Sequence, residues 1–86
     1  MSWSVIFIKE AVNDLNNLDI QVRKRIIRKI SWIEENFDKV TPLALTGEWQ
    51  GFYKLRVGDW RIIYRTNWNG QKIIIHYIDR RDKVYD

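Results

Sequence analysis

Hydrophobic residues run almost unbroken from Trp3 to Ile8, then shift from Lys9 onward to the three- and four-residue spacing of a helix. Residues 3–8 therefore read as a first strand. Ala11, Val12, Leu15 and Leu18 give Lys9–Leu18 one apolar side, and Asp19 stands where the next helix needs a cap. That second helix reaches to about Phe37, with Val22, Ile26, Ile30, Ile33 and Phe37 along one face. Periodicity stops between Asp38 and Glu48, a connection that holds the only proline, Pro42, and Gly47. Leu43 and Leu45 are expected to tuck back from it onto the core. Three more strands are predicted near 50–57, 60–66 and 72–78, with turns at Gly58-Asp59 and Asn69-Gly70. This order predicts an α+β domain in which two N-terminal helices pack on one face of a mainly antiparallel four-stranded sheet, leaving the other face partly open.

Composition narrows the class. At 86 residues the chain makes one domain, residues 1–86, and 45% hydrophobic residues are enough to offset the entropy of folding. There are no cysteines, which fits a reducing compartment, with the cytoplasm as the default. The first strand meets Lys9 and Glu10 too soon for a signal peptide or a membrane span, so no membrane partner is expected. The net charge is +4 and unevenly spread: residues 1–40 carry 7 Lys/Arg against 6 Asp/Glu, residues 41–86 carry 8 against 5. The excess lies on the sheet half.

The strand pattern gives that excess a shape. Successive strand side chains point to opposite faces, so Tyr53, Leu55 and Val57 face the core while Lys54 and Arg56 project away, joined from the next strand by Arg61. Several fixed cations on one face suit a polyanion, and phosphate above all, because guanidinium binds it bidentately while ammonium supplies a point charge. As surface cations they are expected to contribute little to stability. Arg23, Lys24, Arg25, Arg28 and Lys29 form a basic side of the second helix, read as a solvated face with auxiliary contacts to nucleic acid backbone as the alternative.

The opening strand leading into Glu10-Ala11 and Asp14-Leu15, the Leu45-Thr46-Gly47 approach, the Tyr53–Tyr64 block and the ending Arg81-Asp82-Lys83-Val84-Tyr85 together resemble the RelE family of the RelE/ParE superfamily of toxin–antitoxin systems. The resemblance covers nearly the whole chain. It implies a RelE-like fold and a ribosome-dependent endoribonuclease that cuts messenger RNA in the decoding site. It also implies a small RelB-like antitoxin as partner, with operator DNA reached only through the antitoxin complex. The site it implies is Lys54, Arg56, Arg61, Arg81 and Tyr85, with Arg80 as a weaker member where many relatives have histidine.

Chemistry agrees with that set. Cleavage of RNA through its own 2′-hydroxyl needs a base, cations for the pentacoordinate transition state and an acid for the leaving 5′-oxygen. No cofactor or metal is required. Crowding an ammonium with like charge favours loss of its proton, so Lys54 beside Arg56 and Arg61 is the candidate base. Arg56 and Arg61 are the candidate stabilising cations, and Tyr85 stacks on a base or assists proton transfer. Arginine is a poor acid at neutral pH, which leaves Arg80 an electrostatic role. His76, within an isoleucine-rich run, is expected to be buried in the sheet. Most of the five tryptophans are expected in the core or under a partner rather than as base-stacking platforms, with Trp68 exposed at a hairpin tip. Two rival readings remain: a ParE-like toxin that binds DNA gyrase without cutting RNA, and a degenerate member that acts only in an antitoxin-bound repressor complex.

Overall fold

In the computed structural model residues 2–80 are described. The chain runs β1 (Ser4–Phe7), α1 (Lys9–Asn16), α2 (Ile20–Asn36), β2 (Leu43–Ala44), β3 (Tyr53–Val57), β4 (Trp60–Asn67) and β5 (Lys72–Arg80), with short 3-10 turns at Phe37–Lys39 and Gly47–Trp49. The sheet order is β1-β5-β4-β3-β2. The hairpins β3–β4 and β4–β5 form the expected antiparallel meander, and β1 closes the far side by pairing parallel to β5. The sheet thus has five strands where four were expected. The fifth is β2, which pairs Leu43 with Lys54 and Ala44 with Tyr53 on the edge of β3. Two residues cannot display a strand period, so the segment reads as loop.

Both helices lie on one face. Ile26, Ile30 and Ile33 of α2 and Phe37 of the 3-10 turn are buried against Ile62, Tyr64, Ile73, Ile75 and Ile78 of the sheet, with Trp3, Ala11 and Leu18 completing the cluster. Asp19 caps α2 as expected, its carboxylate accepting from the Val22 amide at 3.0 Å. Val12 is 42% exposed rather than part of the apolar side of α1, and Leu43 is 53% exposed while Leu45 is buried. The basic side of α2 is only partly a solvated face. Arg23 donates to the Asn16 and Leu18 carbonyls, supplying partners beyond the end of α1. The Arg25 guanidinium fills the space over Gly58, where a Cβ would lie 2.6 Å from it. Gly58 also has a positive φ of 58°, so the β3–β4 turn requires glycine twice over.

Carboxylates from the helices satisfy exposed strand edges. Glu34 accepts from the Val5 amide at 2.7 Å on the outer edge of β1. The pairing of β1 with β5 ends at Ile75, and beyond that point Asp14 accepts from the Ile78 amide at 3.0 Å. At the β4–β5 turn the left-handed residue is Gln71, with φ 53°, rather than Gly70. No helix among the described residues is long and apolar enough to cross a membrane.

Candidate active site

The site is built on the sheet face opposite the helices, and the register fixes its layout. Arg56 pairs with Arg61, and Arg61 with Asp79, so these three share one row of that face. The next row is Leu43, Lys54, Ile63 and Tyr77. Lys54, Arg56 and Arg61 are therefore brought together, on strands whose opposite side holds Tyr53, Leu55 and Val57 against the core. Arg56 is exposed and Lys54 half-buried. Arg61, at 7% exposure, is the only buried charged residue among the described residues, which corrects its reading as a surface cation of little consequence for the fold.

A bulge in β5 decides what else reaches this face. Ile63 pairs with Tyr77 while the next residue, Tyr64, pairs with Ile75, so His76 is an extra residue on β5. The bulge shifts the alternation by one. Ile73 and Ile75 face the helices before it, Ile78 faces them after it, and His76 and Tyr77 are turned to the other side. His76 is thus partly exposed rather than buried in the sheet. Its Nε2 accepts from Arg65 Nε at 3.2 Å. Burial first, then the neighbouring Arg65, lowers its pKa, with Glu10 opposing. It stays neutral near pH 7.

This face has a small apolar core of its own. Ile63 is fully buried and Leu45 is 4% exposed, yet neither belongs to the cluster under the helices. The 3-10 turn Gly47–Trp49 sets the Trp49 ring 5.3 Å from Phe52 and 5.6 Å from Tyr77 by centroid, both near perpendicular, and Tyr77 stands beside Ile63 in the register. The cation rows therefore stand on packed side chains. The supporting role of Trp49, Phe52 and Tyr77 was not read from the sequence; its only signal was an aromatic on either side of Gly51.

Arg80 falls elsewhere. It pairs with Trp60, one position out of step with Arg61, and its guanidinium lies 5.6 Å from the Trp60 ring. Trp60 packs against the main core, so Arg80 belongs to the helix side of the sheet. Arg81 and Tyr85 lie outside the described residues. Trp68 is exposed as expected at 57%, with its ring edge-on to buried Trp3 at 5.0 Å. Among the described residues no group of three His, Asp or Glu side chains gathers as metal ligands would.

The fold and the cationic face describe a small α+β domain with a basic sheet face, and sequence comparison supplies its family. The profile of the ParE toxin of type II toxin–antitoxin systems matches residues 5–85. The chain belongs to that family, within the RelE/ParE superfamily, and is a type II toxin–antitoxin toxin. No curated protein matches it in sequence. Among solved structures it is similar to the toxin–antitoxin complex RelBE2 from Mycobacterium tuberculosis, with TM-score 0.82 and 22% identity over 94% of this chain and 100% of that one. The archaeal RelE–RelB complex from Pyrococcus horikoshii gives TM-score 0.75 and 27% identity, covering 98% of this chain and 100% of that one. The chromosomal ParDE system from P. aeruginosa gives TM-score 0.70 and 17% identity, covering 92% and 96%. Both branches are therefore represented.

Proposed function

We propose that this toxin is a metal-independent endoribonuclease that cuts messenger RNA in the decoding site of the ribosome, and that a RelB-like antitoxin neutralises it in the cytoplasm. The observation that carries the reading is the convergence of Lys54, Arg56 and Arg61 on one face of paired strands. Lys54 takes the 2′-hydroxyl proton; the 2′-oxygen attacks the adjacent phosphorus; the 5′-oxygen leaves with a proton, giving a 2′,3′-cyclic phosphate and a 5′-hydroxyl end. Arg56 and Arg61 hold the non-bridging oxygens, whose negative charge grows in the transition state. Arg81 assists them, and Tyr85 stacks on a base or supplies the departing proton. Arg80, on the other side of the sheet, adds charge near the chain's exit from β5 without touching the phosphate.

Induction without antitoxin should arrest growth and produce cuts within translated regions, read by mapping transcript 5′ ends. Lys54→Ala and Arg81→Ala should abolish most of that cutting, and chelators should not affect it beyond their effect on the ribosome. A second reading has a specific observation behind it, because the matching family profile is that of the ParE toxin. On that reading the cationic face contacts DNA gyrase, and induction yields intact messages beside inhibited gyrase. Retained antitoxin and operator binding without toxicity would instead identify a repressor component.

A further inference from the structure

We propose that Trp49, Phe52 and His76 form a nucleobase platform, which takes an unstacked base of the single-stranded RNA whose phosphate Lys54, Arg56 and Arg61 hold. The proposal rests on the ribonuclease reading above. The three rings come from three separate segments: the 3-10 turn, the approach to β3, and the β5 bulge. They meet on the cationic face. Phe52 and His76 have ring centroids 5.0 Å apart at 83°, and Trp49 stands 5.3 Å from Phe52 at 79°. All three are partly exposed, whereas Trp3, Phe37 and Tyr64 on the helix side are consumed by the core.

Arg65 completes the platform. Its guanidinium lies 5.4 Å from the Phe52 ring centroid while its Nε donates to His76 Nε2. That bond fixes the imidazole tautomer with its proton on Nδ1, and a neutral ring stacks without repelling the cations beside it. Phe52 precedes Lys54 by two residues, the spacing that puts both side chains on one side of an extended chain, so a base on the ring and a phosphate at the ammonium would lie on the same face. Aromatic faces and a guanidinium plane next to phosphate-binding cations are the means by which proteins hold unstacked RNA bases. An acidic peptide would use the same cations but has no need of the π faces.

The test uses purified toxin on ribosomes programmed with messages whose decoding-site codon carries an abasic ribose at each position in turn. Trp49→Leu and Phe52→Leu keep apolar cover over Ile63 while removing the ring. Each should cut the intact message about tenfold more slowly, the scale of one base–aromatic stack. Wild type should lose about as much at one abasic position, and there the leucine variants should lose nothing further. Trp49→Tyr should restore most of the rate. If the losses from leucine and from the abasic ribose multiply at every position, or if the leucine variants cut like wild type, the platform is refuted. Normal cutting by Trp49→Leu together with lost antitoxin binding would assign the cluster to protein docking and also refute it. Wild type that cuts no message overturns the ribonuclease reading and the platform together; wild type that cuts, with Lys54→Ala inert and the losses multiplying, overturns the platform alone.

Discussion

Arg61→Ala and Arg61→Met, made side by side, are expected to fail in different ways. Arg61 is 7% exposed, so its aliphatic stem is buried. Truncation to alanine removes two methylenes at about 0.8 kcal/mol each. It also removes a cation that the register sets opposite part-exposed Asp79, an electrostatic loss of about 1 kcal/mol where solvent reaches one partner. The sum of about 2.5 kcal/mol lowers the melting temperature by about 10–20 °C in a domain of this size. Methionine keeps the aliphatic bulk and should cost only the pair, about 1 kcal/mol. On the ribonuclease reading proposed above the two are equivalent for the reaction, since each would remove a fixed donor from the transition state, a loss of about 100- to 1000-fold. Thermal melts by circular dichroism and single-turnover cleavage on programmed ribosomes measure both quantities on the same preparations. A well-folded Arg61→Met that cuts at the wild-type rate would take Arg61 out of the reaction. An Arg61→Ala that melts with wild type would show that its burial adds nothing.

Three further outcomes follow from the packing. Asp14→Ala leaves the Ile78 amide without its acceptor, which costs about 2 kcal/mol for a bond to a carboxylate; denaturant melts should show it, and hydrogen exchange should show faster opening at Ile78, with Asp14→Asn between the two. Tyr64, whose pKa burial and then Tyr53 push up to about 12, keeps its proton in the fold while the unfolded chain ionises near 10. Stability should therefore fall as pH rises from about 10 towards 12, an effect that Tyr64→Phe reduces and that phenolate absorbance follows. His76 has its pKa lowered by burial and Arg65, so the unfolded chain binds the proton first as pH drops. Stability should be complete above about 6.5, the ordinary histidine value, and decline below it; a decline equally steep in His76→Gln would show that the imidazole is not the cause.

Period made most of the fold legible. Ile26, Ile30, Ile33 and Phe37 mark one helix face, and Tyr53, Leu55 and Val57 alternate with Lys54 and Arg56, because each set is buried on one side only. The same rule fails where the period breaks. In Ile73 to Ile78 a run of apolar residues reads as continuous burial, while the bulge sends His76 and Tyr77 to the cationic face. Arg80 breaks the pattern in the other direction: adjacency to Arg81 joins it to the candidate site in sequence, whereas its register with Trp60 places it on the helix side. Trp49 could not be placed from sequence because a 3-10 turn, not a periodic element, carries it. Arg61 was recognised as a cation but not as a buried one, since burial there depends on neighbours from two other strands.

The bulge also explains how one sheet in so short a chain supports cations on a firm base. A regular β5 would send alternate residues of its isoleucine run to the face away from the helices along its whole length, and apolar side chains would then occupy the positions beside Arg61 and Lys54. With one residue inserted, Ile78 returns to the main core while Asp79 stands opposite Arg61 and Tyr77 opposite Ile63. Tyr77 then meets Trp49 at 5.6 Å above buried Ile63. Lys54 and Arg61 thus rise from strands packed on both sides, which restrains their stems more than a sheet open to water would. On the ribonuclease reading, charge preorganised in this way would act on a transition state without reorganising during the reaction. The α1 carboxylate of Asp14 holds the Ile78 amide just past the inserted residue, so α1 contributes to the cationic face by fixing the strand that shapes it.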